Sequence, residues 1–249
     1  MTLLSLAAIV STALAGAEST GMPIPYTLRA DDAVIAVLLS CFLLSAYILS
    51  RSRKFLLQLV KDFMLNRERT SIFATSTATD MRYLLLLIGQ SCVLAGVCLL
   101  HSFNLVHPEL VQHIPSIALL GIYIGACLAY LVLKWMLYSL VGWVFFDEAR
   151  TTLWIESYST LLYYLGFALF PFSLVVVYFD TSLQTTVICA ILLAVCFKIL
   201  VFYKWLRLFC SNLHGSFLLI LYFCALEIMP CLLMYQGLMQ LNDYLIIKF

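Results

Sequence analysis

One acidic residue, Glu227, falls near the centre of a hydrophobic segment, within Leu221-Tyr-Phe-Cys-Ala-Leu-Glu-Ile-Met-Pro230. A carboxylate at bilayer mid-depth costs about 2.5–3.5 kcal/mol on insertion scales unless it is paired or wetted. Lys198 is the only basic residue read as lying clearly inside a span. The first expectation is that it snorkels to the interface; the alternative is that it faces inward and pairs with Glu227 on the neighbouring helix. For the carboxyl, four readings stay open: a structural polar clamp, a proton or substrate site, a protonated neutral group, and toleration at the lipid boundary. Pro230, three residues further on, removes a backbone donor and frees the carbonyl four residues earlier, placing a polar backbone defect beside the acid. Glu227, Lys198 and Pro230 are therefore the buried polar candidates.

Other arrangements that could do chemistry are weaker. His101, His107 and His113 recur every six residues near Glu109, but one-helix metal sites use spacings of three or four and Pro108 interrupts the run. They read as solvated interfacial histidines. Leu213-His-Gly-Ser216 brings a histidine near a serine, but without an orienting carboxylate it reads as a turn. There is no phosphate-cradling glycine loop, no His-Glu-x-x-His and no acidic pair suited to glycosyl or phosphoryl transfer. No catalytic residue, metal site, haem or other cofactor is expected, and the reading leans away from an enzyme. The nine cysteines form no Cys-x-x-Cys pair, and read as small apolar residues for helix packing.

These residues must be positioned by membrane helices. The apolar fraction is 64%, the charged fraction 11% and the mean hydropathy +1.04, against about 45–50% apolar and about 25% charged in soluble domains. The expected fold is all-α, a polytopic transmembrane helix bundle of six spans. Each is long enough for a hydrocarbon core of about 30 Å. The spans are read at Asp32–Ser50, Tyr83–Phe103, Pro115–Leu133, Tyr158–Tyr178, Leu183–Tyr203 and Ser216–Gln236. Residues 32–249 then form one membrane domain, and residues 18–31 a polar external segment. Residues 1–17 are a signal peptide or an apolar N-terminal helix. Their run Leu3–Ala17 ends in a small-residue pattern, lacks a basic start, and would be about 22 Å long as a helix.

Charge sets the orientation. Of the fourteen Lys and Arg residues, seven lie between Arg51 and Arg82, and Arg150, Lys204 and Arg207 fall in loops on the same side. The positive-inside rule puts that side in the cytoplasm and both mature termini in the periplasm. Residues 53–67 follow helical periodicity, with Phe55, Leu59, Val60 and Phe63 on an apolar stripe and Lys54, Gln58 and Lys61 on another face. This suits an interfacial amphipathic cytoplasmic helix that anchors the first hairpin, or a docking surface for an envelope protein or anionic lipid. Arg51, Arg53, Lys54, Lys61, Arg67 and Arg69 would form that surface. The partners implied are the lipid bilayer and this cytoplasmic-face contact; no nucleic acid is implied. Trp135, Trp143, Trp154 and Trp205 lie at or past cytoplasmic span ends and read as an interfacial belt. A weak parallel repeat relates spans three and four to five and six, aligning Lys134-Trp135 with Lys204-Trp205 and Glu227 with Ala168.

Three stretches give the chain a resemblance: Leu59-Val-Lys-Asp-Phe-Met-Leu-Asn-Arg67, Gly142-Trp-Val-Phe145 and, above all, Leu221 to Pro230. Over residues 30–245 it resembles a Bacteroidetes family of integral membrane proteins known as domain of unknown function 4271. The resemblance implies the inner membrane of a Gram-negative cell and no activity or site. The function expected first is a non-enzymatic accessory or scaffold component of a cell-envelope complex. A small-solute or proton-coupled transporter using Glu227 is second, and an intramembrane lipid-modifying enzyme third.

Overall fold

The computed structural model describes residues 28–65, 78–107, 114–145, 148–179, 181–209 and 216–248. After a 3-10 turn at Leu28–Ala30, they form α1 (Asp32–Leu65), α2 (Ala78–Val106), α3 (Ser116–Phe145), α4 (Glu148–Tyr178), α5 (Leu183–Phe209) and α6 (Ser216–Lys248). The helix starts follow from local chemistry. The Asp31 carboxylate accepts the Ala33 N–H at 2.9 Å, and the Ser182 hydroxyl accepts the Thr185 N–H at 3.3 Å. Each satisfies a donor that the first helical turn leaves open. Pro115 stands just before α3, where its missing N–H is harmless.

The protein is a multi-pass helical membrane bundle. Among the described residues, five helices carry stretches long and apolar enough to cross a bilayer: Asp32–Arg51, Arg82–Val106, Ser116–Val144, Thr151–Tyr178 and Leu183–Leu206. The sixth expected span lies within α6, where the side chains of 216–224 fall outside the description. Outer helix faces are apolar as well: Leu43, Leu128, Leu192, Ile199 and Leu232 are all exposed. Such faces suit lipid, and the buried seams carry what specifies the packing.

The hub is α2, which packs on α1, α3, α4 and α5 and most extensively on α4. Two glycines permit this approach. A Cβ at Gly96 would lie 2.8 Å from Ile124 Cγ1 on α3, and one at Gly166 on α4 would lie 3.2 Å from Ser91 Cβ on α2. Small residues at such crossings are how membrane helices gain close packing without a hydrophobic drive between them. One apolar cluster joins Val34, Leu94, Val97, Leu119 and Val177, and a second, aromatic one joins Tyr138, Trp154, Tyr158 and Trp205.

Several expectations are corrected here. The amphipathic segment 53–67 is not a separate helix as far as Leu65, because α1 runs unbroken from Asp32. Trp154 and Trp205 are buried against Tyr138 and Tyr158 instead of lying in an interfacial belt. The reason is that α4 starts at Glu148 and α5 continues to Phe209, so both indoles sit inside helix–helix seams. Trp135 and Trp143 do face outward. Lys204 and Arg207 belong to α5, not to a loop. His101 is buried, its Nε2 3.4 Å from the Thr181 carbonyl, because the connection between α4 and α5 covers the end of α2.

Candidate functional site: a buried lysine–glutamate–lysine triad

Glu227 lies on the buried face of α6 with Pro230, Leu238 and Asn242, at helical spacings of three, eight and four residues. The facing stripe of α3 carries Tyr123, Cys127, Tyr130, Lys134 and Tyr138, each three or four residues from the next. Three polar pairs join the two helices. Tyr123 donates its hydroxyl proton to Asn242 Oδ1 at 3.0 Å, the Tyr130 hydroxyl lies 3.2 Å from Cys231 Sγ, and Lys134 Nζ lies 2.5 Å from Glu227 Oε2. The partners step in opposite directions along the two helices, as antiparallel neighbours must. Polar contacts thus set the register of α6 on α3.

Lys198 of α5 also donates to Glu227 Oε2. It does not snorkel as first expected; its ammonium turns inward to the acid. Nor is it the only lysine inside a span, because Lys134 lies within Ser116–Val144. The sequence ends the third span at Leu133 and carries its helix on through the apolar residues up to Phe146 into the interface. Helix α3 does continue to Phe145, but Lys134 lies inside the bundle, only 1% exposed. Its helical spacing from Tyr123, Cys127 and Tyr130 was the signal for an inward position.

Three helices therefore bring two ammonium groups and one carboxylate to a single point. Lys134 is further held by aromatic faces, its Nζ 5.3 Å from the Tyr138 ring centre and 5.9 Å from that of Tyr130, with the Tyr138 hydroxyl at 3.5 Å. Ring quadrupoles attract a cation most when water is excluded. The Lys198 side chain keeps 32% of its surface exposed, against 1% for Lys134 and 7% for Glu227. Glu227 Oε1 is buried and accepts no hydrogen bond from the described residues. With all three groups ionised the site carries one positive charge in excess, among apolar helices.

Two spaces meet at this charge. A cavity of about 390 Å³ lies among α2, α3, α4, α5 and α6, bounded by residues such as Cys98, Cys127, Tyr158, Leu165 and Phe197 and reaching Lys198. A groove of about 500 Å³ lies between α5 and α6, with Ile191, Val195, Ile228 and Leu232 on its walls and Lys198 and Glu227 on its floor. Ala194, Lys198 and Cys231 border both spaces. Sequence reasoning missed this feature, since a cavity among five helices leaves no local pattern.

The remaining candidates are scattered. Pro230 is buried one turn from Glu227, within an unbroken α6. Arg51 is exposed on α1; the side chains of Arg53, Lys54 and Lys61 lie outside the described residues, as do Arg67 and Arg69. The side chains of His214 and Ser216 are outside them too, together with Glu109 and His113. Among the described residues no histidine, cysteine or carboxylate cluster is arranged to hold a metal ion. A family model described as domain of unknown function (DUF4271) matches residues 34–238. No curated protein and no solved structure matches the chain.

Proposed function

Because the chain belongs to the family described as domain of unknown function (DUF4271), a description that names no activity, we propose a role from the site itself: a non-enzymatic membrane carrier that binds an anionic solute at Lys198. The observation behind this is the shared carboxylate. Glu227 is flanked by lysines from α3 and α5, so it balances only one of the two. An uncompensated cation inside a bundle is costly, and an anionic ligand would relieve it. Lys198 is the lysine that ligand would meet, since it borders both open spaces and Lys134 borders neither. Glu227 then acts as the built-in counter-ion that keeps both lysines charged between binding events. We place the carrier in a bacterial inner membrane, with its basic loops in the cytoplasm, on the distribution of Lys and Arg.

The test is anion binding and flux in proteoliposomes, comparing the wild type with Lys198→Gln. The variant keeps the neutral Lys134–Glu227 pair, so it should accumulate and melt as the wild type does while losing anion binding. Unchanged binding or flux in a normally folded variant would refute the proposal.

A second reading, an accessory component of an envelope complex, draws support from α1. That helix continues to Leu65, well beyond the apolar stretch that ends at Arg51, offering a basic extension to a partner. Its test is co-purification with another envelope protein after mild extraction; recovery only as a lone chain would count against it.

A further inference from the structure

We propose that the ligand of the triad is a single-chain amphiphilic anion, with a carboxylate or phosphate head, that enters sideways from the lipid between α5 and α6. This inference rests on the carrier reading and adds the chemical class and the route. Three observations converge on it. The groove between α5 and α6 is walled by Ile191, Val195, Ile228 and Leu232 and faces outward where the bundle meets lipid. A water-soluble ion would gain nothing from such walls, whereas an acyl chain would.

The second observation is continuity. Groove and cavity share Ala194, Lys198 and Cys231, so a molecule passing between the helices meets the Lys198 ammonium at the threshold. Its head can stop there while its tail goes on. The third is length. The cavity borders α5 from Thr186 to Lys198, a helical rise of about 18 Å at about 1.5 Å per residue. One leaflet of a bilayer core is about 15 Å deep, half of about 30 Å. A lipid-like chain therefore fits lengthwise. The volume of about 390 Å³ lies within the ~300–1,000 Å³ of small-molecule sites.

The head must be anionic because the charge at the threshold is Lys198, already sharing Glu227 with Lys134. An incoming carboxylate or phosphate would take Lys198 and leave Glu227 to Lys134, so each charge finds a partner. A neutral head would leave the excess cation as it was.

The experiment uses the full chain in phosphatidylcholine nanodiscs and displacement of a bound fluorescent polyene fatty acid. Competitors are palmitate, lysophosphatidate, hexadecanol and acetate. Palmitate, lysophosphatidate or both should displace the probe at least tenfold more effectively than hexadecanol, and which of them does so identifies the head. Lys198→Gln should weaken that displacement at least tenfold. Ala194→Trp, which fills the threshold without touching a charge, should block long-chain anions in protein that melts normally. If acetate competes as well as palmitate, the carrier reading survives and the amphiphile is excluded. If hexadecanol equals palmitate, the charged head is excluded. If no anion binds and Lys198→Gln changes nothing, both readings fall.

Discussion

Replacing Glu227 by Gln keeps the size and hydrogen-bonding capacity of the side chain while removing its charge. In the wild type that charge holds Lys134 and Lys198 together, the first of them 1% exposed. The variant would leave two lysines facing each other with no counter-ion. Removing one partner of a buried ion pair costs about 3–5 kcal/mol, or about two to four powers of ten in the folded-to-unfolded ratio. The second variant is Lys134→Met, similar in length and apolar. Alone, it leaves a neutral Lys198–Glu227 pair and should be close to neutral, since apolar replacement within buried ion clusters often is. Combined with Glu227→Gln it removes the lysine that cannot reach lipid headgroups. The pair should recover about 2–3 kcal/mol, within the range seen for residues in direct contact. Reversible unfolding of the four proteins in mixed micelles closes the cycle. A Glu227→Gln protein as stable as the wild type would refute the reasoning. So would a coupling no larger than the ~0.6 kcal/mol average of ordinary membrane hydrogen bonds.

Other expectations follow from the packing. Tyr123→Phe deletes the bond to Asn242 and should cost about 0.6–1.7 kcal/mol, seen as a lower melting temperature. Gly96→Ala puts a methyl 2.8 Å from Ile124 Cγ1 and 3.2 Å from its backbone nitrogen, so about 1–3 kcal/mol should be lost on thermal melting. Single cysteines placed between Arg51 and Arg82 should react with membrane-impermeant maleimide only from the cytoplasmic side, in inverted vesicles and not in intact cells. Cysteines at 123 and 242 should cross-link with short bifunctional reagents, while 123 and 231 should not, if the antiparallel register holds.

How much of this was readable in advance depended on whether the signal was local. Long apolar runs are local, and the helices lie where hydropathy placed them, though most extend further. The third span ends at Leu133 in the sequence reading because Lys134-Trp135 looks like an interface, although the apolar run to Phe146 carries the helix itself further. That error hid Lys134, whose neighbour Trp135 does face outward as a belt residue would. The helical stripe from Tyr123 through Tyr130 to Tyr138 carried the contrary information, since residues at such spacing share one face of a helix. Glu227 stood out because an acid in an apolar run is conspicuous. Its pairing with Lys198 was one of two open fates, and charge alone could not choose between them. The choice came from packing, which sets Lys198 of α5 directly against the buried carboxylate of Glu227 on α6. His101, Trp154 and Trp205 were misread as interfacial for a related reason, since their burial depends on helices distant in the chain. The cavity itself lay beyond reach, being the space left by five helices whose mutual distances no single segment encodes.

Among the described residues Lys134 and Lys198 share one carboxylate, Glu227, and on the proposed reading the unbalanced charge draws a ligand anion. Anion affinity measured side by side for the wild type, Lys198→Gln and the Glu227→Gln/Lys134→Met pair tests this directly. Binding should vanish in the first variant and persist in the second, which keeps Lys198 and a net charge of one. Equal affinity in all three proteins, or loss confined to the double variant, would contradict it.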